Sequence, residues 1–167
     1  HDDKNFDLPW EVEESIVTPL GSLAAMEFFR RTGDQESFQR ALATVDEERR
    51  YAQELNALVG EAQNLFKTFA VEKAQEQILS LIPSYPAYQR QFERQTEGQH
   101  PATVLEAKLS HDLAYYRYFD QIIALADQAI DLKSLIDDLK KLPRDTRQSG
   151  LQAYLQQLKN RYTRSTN

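Results

Sequence analysis

The chain has 167 residues, a length that suits one domain able to bury a core without disulfide or metal staples. Its net charge of −6 and pI near 5.1 argue against a nucleic-acid partner and against a polybasic membrane-surface helix, since both need a basic face. Cysteine is absent, which removes disulfides, thiolate nucleophiles and cysteine-bound zinc.

Twenty Leu and 17 Ala stand against 13 Val plus Ile, and Leu and Ala lose least on entering a helix. Five Gly and six Pro are too few for a sheet protein with many turns, so the fold class is predicted as all-α. No apolar run reaches the roughly 18 residues of a membrane span. The chain opens at His1 instead of Met, as expected of a mature or trimmed form.

Residues 1–8 are polar and expected to fray. Pro9-Trp10-Glu11 starts a helix, and Thr18-Pro19 offers a second start. The stretch to Arg31 is therefore two short helices or one kinked at Pro19. Gly33 suits a left-handed C-cap and Asp34 an N-cap. From Phe38 an apolar stripe at spacings of three and four runs through Ala52, Leu55, Leu58 and Ala62 to Phe69. It stays in phase past Gly60, and Ala74, Ile78, Leu81 and Ile82 carry it to Pro83, with a restart at Thr44 as the alternative.

Pro83 and Pro86 force a break, followed by a short helix to about Glu97 with Tyr88 and Phe92 on one face. Pro101 opens a predicted helix of about 40 residues to Leu142, whose stripe includes Leu105, Leu109, Tyr116, Phe119, Ile123 and Ile130. Pro143 ends it, a last helix reaches Tyr162, and residues 163–167 look loose. One elongated bundle of four to six helices in a single domain is expected.

Chemistry-bearing patterns are sparse. Glu97-Gly98-Gln99-His100 has the spacing of half a di-iron site, but it falls in a turn and has no second copy. His111-Asp112 and His1-Asp2 carry the dipeptide of HD phosphohydrolases, a chemistry that needs more histidines than the three present. Acidic pairs such as Asp137-Asp138 point about 100° apart on a helix and read as solvated faces. No phosphate loop or nucleophile elbow is present, so no catalytic centre, metal or cofactor is expected. Tyr88 beside Arg90 and Arg94, and Tyr116 beside Arg117, are the candidate ligand-binding residues, because tyrosine faces and guanidiniums together suit a small anion. The same aromatics equally fit core stripes, with the arginines outside.

Ala24–Leu42 reads AAMEFFRRTGDQESFQRAL and Ile82–Phe92 reads IPSYPAYQRQF. Over residues 23–95 the chain resembles the four-helix or helical bimodular sensor domains of bacterial chemoreceptors and sensor kinases. The first hairpin is also similar to a single tetratricopeptide-like unit. The sensor resemblance implies a periplasmic, commonly dimeric bundle that binds a small solute such as an organic acid between helices. The alternative is a protein–protein interaction module, an adaptor, assembly factor or immunity-type protein, acting through an exposed helix face. An HD-type or metal-dependent helical enzyme is the remaining rival.

Overall fold

The computed structural model describes residues 6 and 8–165, so His1-Asp2 and most of the polar N-terminal stretch lie outside the described residues. Eight α-helices make up the described chain: α1 (Trp10–Thr32), α2 (Gln35–Thr68), α3 (Val71–Leu81), α4 (Pro86–Gln95), α5 (Pro101–Tyr116), α6 (Phe119–Ala126), α7 (Leu132–Leu139) and α8 (Gln148–Ser165). A 3₁₀ turn at Ile82–Ser84 joins α3 to α4. The fold is all-α, as composition predicts.

Helix α1 runs through Pro19 without splitting. Its buried face of Val12, Ile16, Leu20 and Leu23 packs along its length, and that burial outweighs the one hydrogen bond proline removes. It ends at Gly33, which adopts φ 74°, ψ 11°, the left-handed conformation expected of its C-cap. Asp34 then caps α2, accepting from the Ser37 amide at 3.0 Å.

The longest helix is α2, with 34 residues and a length of about 50 Å. It passes Gly60 unbroken but stops at Thr68, short of the predicted run to Pro83. Thr68 Oγ1 turns back to donate to Asn64 O at 2.8 Å, and Phe69 is extended at φ −122°, ψ 160°. The chain reverses there so that α3 can bury Ala74 and Ile78 against α2. Across the next break, Glu54 of α2 accepts from the free amides of Ala87 (2.6 Å) and Tyr88 (2.9 Å), capping α4.

The predicted 101–142 helix is three helices, which raises the segment count above the expected four to six. The first interruption falls at Arg117 and Tyr118, where neither proline nor glycine occurs. Tyr118 leaves helical geometry (φ −110°, ψ 6°), and its hydroxyl donates to Gln148 O at 2.9 Å. Asn56 of α2 reaches the carbonyl of Arg117 at 3.2 Å, so a freed acceptor at the break finds a donor. The second interruption precedes Asp131, which caps α7 through the Ser134 amide at 2.7 Å. Ile130, predicted on the core stripe, is 95% exposed because it sits in this connection. Residues 163–165, predicted loose, belong to α8.

Two apolar clusters result. One gathers α1, α6, α7 and α8, with Val45 and Ala52 of α2, around Phe119, Ile122, Leu135, Leu139 and Leu155. The other gathers α2 to α5 around Leu55, Leu58, Ile78, Tyr88 and Leu105. Tyr116 packs against both.

Candidate functional site

The five residues singled out by sequence do not converge. Tyr88 is fully buried, stacked on Tyr51 at 5.6 Å and tilted against Phe92 at 5.9 Å. Tyr116 meets the same Tyr51 ring edge-on at 4.9 Å. These tyrosines are core. Arg90 and Arg94 lie exposed on α4, with Arg90 3.9 Å from Glu47 and Arg94 bonded to Gln91. Arg117 alone lines a groove.

The tyrosine core has a polar centre at Asp112, which the sequence presented only as half of an HD dipeptide. Asp112 of α5, 3% exposed, accepts from Tyr51 Oη at 2.6 Å and is held by Lys108 one turn earlier. His111 Nδ1 lies 3.4 Å from the same carboxylate, on an imidazole that is itself exposed and packed on Tyr115. Among the described residues no three of His, Asp and Glu come together as a ligand set. Burial, with the Asp112 charge second, pushes the Tyr51 and Tyr88 hydroxyls far above the usual range; burial chiefly raises Tyr116 to about 12.

Alkaline lability follows. In the unfolded chain these tyrosines ionise near pH 10, whereas in the fold they keep their protons. The stabilisation is therefore complete below pH 10 and declines as pH rises through the folded values. Each tyrosine that stays protonated removes about 1.4 kcal/mol per pH unit above 10. Urea unfolding from pH 9 to 11.5, read beside tyrosinate absorbance, checks this; a midpoint flat to pH 11.5 contradicts it.

Tyr88 Oη is enclosed with no hydrogen-bond partner among the described residues. A buried hydroxyl left so costs about 1–3 kcal/mol. Tyr88→Phe is expected to keep or raise stability, by up to about 1 kcal/mol in thermal melts. A clear loss would reveal a partner for that hydroxyl.

A concavity of about 1280 Å³ forms a groove along the seam of α2 with α5 and α6, bordered by the starts of α1 and α8. It continues into an apolar trough of about 380 Å³, sharing Val59, Gln63 and Leu113 with it. One face of α2 supplies Gln53, Asn56, Gly60, Gln63 and Phe66, spaced three and four apart. One face of α5 supplies Glu106, Leu109, Ser110, Leu113 and Arg117 in antiparallel register. Side-chain amides recur along the walls, with Gln121, Gln148 and Gln152 added by α6 and α8.

The groove ends differ in charge. Arg117 and Arg147 stand at the α8 end with Glu11, and Asp120 there is engaged by Arg49 of α2 at 2.9 Å. Glu106 stands at the other end, accepting from Gln75 of α3 at 2.8 Å. Gln148 ties α8 to α1 by donating to Glu11 O at 3.2 Å, while its own Oε1 is enclosed without a donor among the described residues. Trp10, 56% exposed, borders the same end and meets Tyr115 edge-on at 6.0 Å. The groove residues escaped sequence reading because glutamines on a helix look like an ordinary solvated face. Their signal was Gln53, Asn56 and Gln63 falling on one side of α2.

No helix among the described residues is long and apolar enough to cross a membrane. No family model, no curated protein and no solved structure matches the chain.

Proposed function

We propose that the protein is a non-catalytic interaction module that holds a segment of another protein in the α2–α5 groove. One observation carries this reading: the groove is open, about 1280 Å³ before its apolar continuation, and walled by side-chain amides on several helices. Sites for drug-sized ligands run to roughly 300–1,000 Å³ and enclose most of the molecule. An amide-walled trench with apolar floor residues suits a polypeptide, whose backbone and side chains need both kinds of contact.

A sensor for a small organic acid, placed outside the cytoplasm, is the second reading. Arg117 and Arg147 at one end of the groove favour it. Isotope-edited NMR of the labelled protein separates the two. A peptide library and a panel of small carboxylic acids are each titrated, and backbone shifts are mapped. The interaction module predicts peptide-induced shifts confined to the groove lining, residues 9–12, 53–66, 106–121 and 147–152. Saturable shifts with a small acid alone, lost in Arg117→Gln, would replace it with the sensor. Shifts elsewhere, or none with any peptide, would overturn it.

A further inference from the structure

Gly60 lies in the interior of α2, exposed and lining the groove. A Cβ placed on it meets no atom within 4 Å, so packing inside this chain does not call for glycine. Glycine in a helix interior is unfavourable relative to alanine. In the groove wall the missing side chain leaves room for a second backbone to come close. Ser110 of α5, also small and exposed, lines the continuing trough.

The groove has helical dimensions. From Gln53 to Phe66 it follows α2 for about 20 Å, the length of roughly four helical turns. Two antiparallel helices with their facing stripes exposed form the seam into which a third helix packs by ridges and grooves. The described residues contain no strand, so no sheet edge is offered to an extended peptide. The charged ends are also in register with a helix. Glu106 and Arg117 are 11 residues apart on α5, about three turns or 16 Å.

We infer that the occupant is an amphipathic α-helix of a partner protein, lying in the α2–α5 seam with its backbone close to Gly60. Its apolar face covers Val59, Leu109 and Leu113. An acidic side chain meets Arg117 and Arg147, and a basic one about three turns away meets Glu106. The opposed charges set the direction in which the helix lies. This rests on the interaction-module reading.

The test uses the full chain and two displayed libraries, one of amphipathic helical 16-residue peptides and one of helix-incompatible extended peptides. Selected binders are measured by fluorescence polarisation against wild type, Gly60→Leu, Gly60→Ala and Gly21→Ala. Gly21 is the control: it is an exposed glycine inside α1, its Cβ also meets nothing, and it lies outside the groove. Both alanine variants are expected to raise Tm by about 2 °C. Helical binders are expected with an acidic and a basic position three turns apart. Gly60→Leu should weaken them about tenfold or more with the fold intact by circular dichroism, and Gly21→Ala should leave them unchanged.

Helical binders indifferent to Gly60→Leu overturn the inference. Extended binders alone overturn it while leaving the interaction module standing. Binders from neither library remove the module reading itself. Self-association of the chain that Gly60→Leu abolishes would assign the groove to a second copy, and would also overturn the inferred partner.

Discussion

Asp112→Ala is expected to lower folding stability by about 3–5 kcal/mol, the range for breaking a buried charge pair by removing one partner. The carboxylate sits 3% exposed between the Tyr51 hydroxyl, at 2.6 Å, and the Lys108 ammonium. Alanine leaves the hydroxyl without its acceptor and the ammonium, on a side chain 11% exposed, without its counter-charge. Both then carry desolvation with nothing to offset it. At roughly 2–4 °C per kcal/mol for a chain of this size, Tm should fall by about 10 °C. Replacing the whole cluster differs from breaking it. Asp112→Leu with Lys108→Met and Tyr51→Phe removes the carboxylate together with its two buried partners and should recover most of the loss. Urea unfolding of the single and triple variants decides the point. A single variant within about 1 kcal/mol of wild type would mean that water or a neighbour compensates.

Tyr116→Ala should cost a similar amount, about 3–5 kcal/mol, for a different reason. The ring lies between the two apolar clusters, 4.9 Å from Tyr51 on one side and 5.6 Å from Phe119 on the other. Removing it opens a cavity bordered by both clusters. Tyr116→Phe keeps the ring and drops only the hydroxyl, so it should stay within about 0.5 kcal/mol. The pair of variants separates packing from polarity. If the ring is what couples the clusters, calorimetry of Tyr116→Ala should also show a broadened or split transition. A sharp transition with unchanged midpoint would remove Tyr116 from that role.

Residues with strong local rules were legible in the sequence. Gly33 is left-handed, Asp34 caps α2, and Pro83 and Pro86 bracket the turn into α4, because each answers to a conformational or hydrogen-bonding demand its own neighbours create. Breaks caused from a distance were not. The apolar stripe continues in phase across Arg117 and Tyr118, where Asn56 of α2 and the Gln148 carbonyl supply partners for the groups that leave the helix. The end of α2 at Thr68 likewise depends on α3 folding back against it.

The site divides along the same line. Tyr88, Tyr116 and the arginines were visible as residue types, but their grouping in sequence is not a grouping in space. A helix turns its neighbours about 100° apart, so Tyr116 enters the core while Arg117 faces the groove. The sequence by itself determined the all-α class, the caps at Gly33 and Asp34, the break at Pro83 and Pro86 and the lack of cysteine chemistry, since those depend on composition and local backbone preference. Only the tertiary structure decided the groove, the Asp112 cluster and the position of the longest helix. Each of these arises from contacts between residues tens of positions apart, and no local pattern encodes them.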